Sequence, residues 1–228
     1  MAVHTGTTLP TVSDKPRSEQ AAAAARWALT VLAGQLGGGQ ALSLAVVHPL
    51  GFLCFPLHRG LDLGICVHVW IDGLPDVEVV TSPIHAHSWD LHSYVLFGQV
   101  GNELVSAVPA KYSDASHQVY EIDSAQGTDR IAATNSYVQC TRRSTHYAST
   151  GEEYTLSSGA FHSTAVSIAD PSATVMIAHT IPGARDRSLG PPQPPGRKAC
   201  WHVRRRLADP SLTRRVAETV VVLSSPVS

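Results

Sequence analysis

From about residue 51 to residue 181 the chain is a succession of short β-rich runs, most of them closed by a turn residue before a helix could complete three turns. The runs are 51–58 (GFLCFPLH), 63–71 (LGICVHVWI), 77–81, 83–88, 92–100, 103–109, 117–122, 130–141, 144–147, 153–156, 161–168 and 173–181. Their Val, Ile, Tyr, Phe and Thr content suits a pleated, half-buried surface. Many short strands at short intervals, with no long helical pattern between them, predict an all-β sandwich or barrel. Pro56 cannot donate to a ladder, so the first run reads as an edge strand or a bulge.

Composition supports that reading. Only 15% of residues are charged, against roughly 25% in an average globular chain, while the 43% that are apolar suffice for a sizeable core. Seventeen basic and 18 acidic side chains give a net charge of −1, so no global field draws the protein to nucleic acid or an acidic membrane. No stretch reaches the ~18 unbroken apolar residues of a membrane span. The N-terminal stretch is polar and carries no export signal, and Cys54, Cys66, Cys140 and Cys200 are scattered with no C-x-x-C pair. The expectation is a soluble cytoplasmic protein with reduced cysteines.

The flanks differ from the centre. Residues 1–18 read as a flexible arm. Ser18 is placed to cap a helix over 19–36, in which Ala22, Ala25, Leu29 and Leu32 or Ala33 recur at helical spacing. Residues 19–182 are taken as one domain with that helix at its start. The remainder, 183–228, reads as a Gly/Pro-rich wrap and a C-terminal segment packed on the outside of the barrel. Asp209 and Pro210 predict a second helix there. The basic cluster Arg197, Lys198, Arg204, Arg205, Arg206, Arg214 and Arg215 lacks interleaved aromatics and reads as a solvated face or a subunit contact.

The chemistry concentrates in Ile84-His85-Ala86-His87-Ser88-Trp89-Asp90-Leu91-His92 and in Gly151-Glu152-Glu153-Tyr154-Thr155-Leu156-Ser157-Ser158-Gly159-Ala160-Phe161-His162. On a strand, residues two apart share a face, so His85 and His87 present both imidazoles to one side. An isolated H-x-H is weak, as His68-x-Trp70 shows. The second segment, with two glycines and a histidine three residues past the later one, makes the pair informative.

Together the two segments resemble the paired motifs of the cupin superfamily. His85 and His87 match the histidine pair of the first motif, and Gly98 matches its closing glycine at the shorter of the motif's two spacings and falls one residue early at the longer. Gly151, Gly159 and His162 match the second. The chain departs from the pattern at four places: Val79 stands for the opening glycine, Leu91 or His92 for the metal-ligand Glu, Ser157 for the Pro and Val166 for the Asn. The resemblance implies a double-stranded β-helix, or jelly-roll barrel, with His85, His87 and His162 as metal ligands.

Three readings replace the missing Glu. His92 is a fourth ligand, or Asp90 is a carboxylate ligand, or the site has three histidines with His92 or Asp90 behind them. Thiol dioxygenases are similar to the third. Both alternatives lie an odd number of residues from His87, so either would need a bulge to face the same interior. His92 is accordingly expected behind the ligands. Three neutral ligands leave the ion's double charge uncompensated and positions open, which favours Fe(II), with Zn, Mn or Ni as alternatives.

Tyr94 and Tyr154 are the candidate pocket tyrosines, with His92 as a third catalytic candidate. Trp89, Arg59 and Arg142 are the candidate substrate-binding residues, Arg143 competing with Arg142, because a guanidinium fork holds a carboxylate bidentately. The function this implies is an oxygenase acting on a small, polar, amino-acid-like molecule, working as a homodimer. A metal-dependent isomerase or lyase and a non-catalytic binding barrel are the alternatives.

Overall fold

A computed structural model describes residues 17–38, 42–125, 127–167 and 169–224. Helix α1 (Arg17–Gly37) and helix α2 (Pro210–Leu223) flank fourteen strands: β1 Val46–His48, β2 Phe52–Arg59, β3 Leu63–Trp70, β4 His85–Ala86, β5 Trp89–Phe97, β6 Gln99–Pro109, β7 His117–Ala125, β8 Thr128–Ser149, β9 Glu153–Leu156, β10 His162–Ala165, β11 Ser172–Thr180, β12 Asp186–Gly190, β13 Cys200–Arg204 and β14 Arg206–Leu207. They form two antiparallel sheets of seven, in the orders β14-β1-β2-β3-β11-β5-β9 and β13-β8-β6-β10-β4-β12-β7, with β7 also paired to β8. From β3 to β6 and again from β8 to β12, successive strands alternate between the sheets. That is the jelly-roll arrangement the cupin resemblance implies.

The first sheet is buried on both sides, and the two-residue period of its strands sorts the side chains. Leu53 and Phe55 of β2, Ile65, Val67 and Val69 of β3, and Ala173, Val175 and Ile177 of β11 face the helices. Their neighbours Phe52, Cys54, Cys66, Trp70 and Met176 face the other way, into the barrel. Helix α1 docks through Ala21, Ala24, Ala25, Ala28, Val31 and Leu32, all 4% exposed or less. The buried stripe is therefore turned from the predicted one, with Ala22 and Leu29 only half-buried. Small side chains let the helix axis lie close to the sheet. Helix α2 buries Leu212, Thr213, Val216, Ala217 and Val220 beside it, and Asp209 caps it by accepting from the Leu212 N–H at 2.9 Å. Ser18, expected as the cap of α1, lies inside its first turn.

Several expected strands appear with changed limits. The runs 130–141 and 144–147 belong to one strand, β8, whose ladder with β6 slips between Glu103↔Thr145 and Val105↔Arg142. The expected break is a bulge. Residues 77–81 form no strand; Pro75 and Pro83 bracket them, and Glu78, Val79, Val80 and Thr81 line a cavity instead. Asp186–Gly190, in the Gly/Pro-rich stretch, pairs with both β4 and β7. Among the described residues no helix is long and apolar enough to cross a membrane, and all four cysteines are free thiols. Most of the expected N-terminal arm lies outside the described residues.

Candidate metal centre

Strand register brings the two histidine segments together. In the β4–β10 ladder His85 and His162 are direct cross-strand partners, and their rings lie 4.3 Å apart. His87 follows β4, with ring centroids 4.8 Å from His85 and 5.2 Å from His162. Its backbone is tied to the turn that precedes β10: the carbonyl of His87 accepts from the Gly159 N–H at 2.9 Å and the Ser158 hydroxyl at 3.2 Å. Gly159 sits at φ +78°, a left-handed conformation that glycine adopts without steric cost. The later glycine of the second segment thus positions a histidine of the first.

The donor atoms suit a metal. His85 Nδ1–H donates to the Pro83 carbonyl at 2.9 Å, and His162 Nδ1–H donates to the Ala160 carbonyl at 3.1 Å. A carbonyl oxygen only accepts, so in both rings Nδ1 carries the proton and Nε2 keeps its lone pair. One nitrogen from each of the three histidines lies within 4.8 Å of the other two. Burial pushes the His85 imidazole down to about 3, helped by its neighbour His162, and lowers His87 and His162 likewise. All three rings are therefore neutral at ordinary pH, the form that binds metal. The triad could hold a metal ion.

The histidines open onto a cavity of about 400 Å³, within the size range of small-molecule sites. Among the sequence candidates, Trp89, Tyr154 and Arg59 line it. Trp89 stacks on His87 at 4.7 Å, and its buried indole N–H has no hydrogen-bond partner. Tyr154 is held near Ser93, Thr174 and Asn102, and burial raises its pKa, so the phenol keeps its proton. Arg59 is exposed at the end of β2, with no ion pair among the described residues.

Three candidates fall elsewhere. Tyr94 packs among the residues facing the helices. His92 has the same parity, opposite Ile177 of the helix-facing set, and no bulge interrupts β5 between Trp89 and Tyr94 to turn it inward. Its Nε2–H donates to Glu153 at 2.8 Å. Arg142 lies on the outer surface, 74% exposed, paired with Glu103 at 3.2 Å, and Arg143 donates to Ser106 beside it. Asp90 accepts from the Ser158 N–H at 2.8 Å, steadying the turn that holds His87. His92→Ala is therefore expected to leave metal content unchanged while costing about 1.5–3 kcal/mol of stability, the range for a hydrogen bond to a charged group. Metal analysis and denaturant unfolding of the purified variant check both parts.

Sequence reasoning also missed residues that line the cavity. Arg205 turns inward from the basic cluster and places Nε at 3.0 Å and Nη2 at 2.8 Å from Asp129 Oδ1, so this part of the C-terminal segment does not pack outside the barrel. Asp186, whose carboxyl burial pushes above the usual carboxylate range, accepts from the Ser88 N–H at 2.7 Å. Cys54, Cys66 and His68 line the same space. The alternation Cys66-x-His68-x-Trp70 was a legible signal for one face of β3, but its partner on β2 was not.

No protein-family model matches the sequence, and no curated protein matches it. Among solved structures, the polyketide cyclase RemF from Streptomyces resistomycificus is similar with a TM-score of 0.36 and 15% identity, over 64% of this chain and 81% of that one. The DMSP lyase DddQ from Ruegeria pomeroyi DSS-3 aligns with a TM-score of 0.32 and 12% identity, over 59% of this chain and 50% of the lyase. Hydroquinone 1,2-dioxygenase PnpCD, solved with Cd2+ and 4-hydroxybenzonitrile, aligns with a TM-score of 0.32 and 12% identity, over 56% and 63%. The chain thus spans half the length of the lyase and under two thirds of the dioxygenase. Overlaps this loose leave the reading of the site to its own geometry.

Proposed function

We propose that this protein is a mononuclear metal-dependent enzyme, an oxygenase that uses Fe(II) held by His85, His87 and His162 on a small, polar, amino-acid-like molecule. The observation that carries this reading is the convergence of three neutral imidazoles, two of them with Nδ1–H already committed to backbone carbonyls, on a cavity of molecular size. When bound, such an ion supplies Lewis acidity and open positions for dioxygen and an anionic substrate.

The chain's own groups divide the remaining work. Arg59 offers a guanidinium fork at the mouth for the substrate carboxylate. The unpartnered N–H of Trp89 provides a donor beside His87. Tyr154 holds a proton at its phenolic oxygen and can give a hydrogen bond to developing negative charge. The apolar wall of Phe52, Trp70 and Met176 excludes bulk water. The near balance of charge supports a small-molecule partner over nucleic acid or a membrane surface.

The test is anaerobic purification with metal analysis, followed by oxygen-uptake measurements on a panel of small amino and thiol carboxylates. Iron near one atom per chain, with uptake on one of these substrates, is the expected result. A triad loaded with zinc and no oxygen uptake would replace the oxygenase with a Lewis-acid isomerase or lyase. A triad that binds no metal would leave a ligand-binding barrel.

A further inference from the structure

A second cluster of ligating side chains lies in the same cavity, on the opposite sheet from the triad. Cys54 of β2 and Cys66 and His68 of β3 bring one ligand atom each within 4.8 Å of one another. The ladder places Cys54 directly opposite His68, with Pro56 opposite Cys66. The two cysteines are therefore diagonal neighbours, on the barrel-facing side together with Phe52 and Trp70. Both thiols belong to buried residues, 8% and 9% exposed.

We propose that Cys54, Cys66 and His68 form a second metal site, separate from the histidine triad, that takes Zn2+. Two sulfurs and an imidazole are a soft donor set, unlike the all-nitrogen triad, and Zn–thiolate bonding suits them. Charge balance favours the same ion. Two thiols release their protons to solvent as they bind, and two thiolates with a neutral imidazole cancel the charge of Zn2+. A neutral unit is the least costly one to place among Phe52, Trp70 and Met176; a monovalent ion would leave a net negative charge there. Three protein ligands fill three positions of a tetrahedral ion and leave the fourth for water or a soft substrate atom from the cavity.

The ladder disfavours a disulfide as the alternative use of the pair. Diagonal neighbours across an antiparallel ladder have Cβ atoms up to roughly 7–8 Å apart, against about 3.5–4.5 Å in a disulfide. A metal with bonds of about 2.3 Å to each sulfur spans that gap without moving the strands.

Cobalt titration of the metal-free, reduced protein under anaerobic conditions tests the site without relying on activity. Wild-type protein is expected to develop thiolate-to-cobalt charge-transfer absorption that zinc abolishes on displacing the cobalt. Cys54→Ser and Cys66→Ser should each lose the band and bind one equivalent fewer of metal. The double variant His85→Ala/His162→Ala should keep the band, so this site stands or falls independently of the triad. Absence of the band in wild-type protein would overturn the proposal, and that outcome needs no variant to fold. A band that survives in Cys54→Ser/Cys66→Ser would overturn it too, assigning the thiolate to Cys140 or Cys200. So would a Cys54–Cys66 disulfide recovered by mass spectrometry from protein purified in air without any band.

Discussion

His162→Ala is expected to lower metal affinity at the triad by ~100-fold or more, with the fold retained. Loss of a group that merely orients a ligand costs roughly 10–100-fold, so loss of a ligand itself should cost at least the upper end of that range. His162 is the member of the triad for which water is the poorest substitute: it is 2% exposed and lies directly opposite His85 in the ladder. Removing it leaves His85 and His87 as two neutral donors from one segment. Competition with a chelator of known affinity reads the loss, and circular dichroism checks the fold. His92→Ala, a buried histidine on the other face of its strand, is the control and should retain wild-type affinity. Equal affinity in His162→Ala and wild-type protein would remove the triad as the metal site.

The second large effect concerns stability. Gly98 turns the chain from β5 to β6 at φ +76°, and a Cβ there would run into the Pro171 carbonyl and the Ser172 hydroxyl. The same corner accepts the Thr150 N–H at 3.0 Å, while the Ser172 hydroxyl donates to the Gln99 carbonyl at 3.1 Å. Three chain segments therefore meet with no room to give. Gly98→Ala should cost about 2–5 kcal/mol: roughly 1–2 for the left-handed backbone, the rest for overpacking at about 1–3. Gly127→Ala separates the two contributions. Gly127 has φ +78° but nothing within 4 Å of an added Cβ, so it should cost only the backbone part. Urea unfolding of both variants decides, and equal midpoints would mean that packing at Gly98 contributes nothing.

The Gly159 turn, whose N–H holds the His87 carbonyl, helps explain why the histidine segments can be so short. Strand β4 is two residues long and could not orient two imidazoles alone. Its position comes from β10 on one side and β12 on the other. The ring orientations come from carbonyls two residues before His85 and His162. The donors are thus preorganised largely by backbone groups, which substitutions elsewhere disturb little.

Much of this was legible from local pattern. Strand limits such as Glu153–Leu156 and the cap of α2 follow from residue type and turn chemistry, which act over a few positions. The facing of His85 and His87, and the turning away of His92, follow from the two-residue period of a strand. That period also argues against Tyr94, which shares the parity of His92, once Trp89 is assigned to the cavity. Other features depend on which strands become neighbours. Nothing near Arg142 in the sequence says that Glu103 will draw it to the outer surface, nor that Asp129 will hold Arg205 inside. The pairing of Cys54 with Cys66 and His68 spans two strands whose register is shifted by a bulge near Pro56, and a spacing of twelve residues carries no ligand signature. Periodicity and turn residues are properties of adjacent residues, so the sequence by itself determined most of the strands, the two helices and the face presented by the histidines of the two segments. Register and sheet order are set by burying both faces of the first sheet at once, a condition on the whole chain, so only the tertiary structure decided which of those faces meet in the cavity.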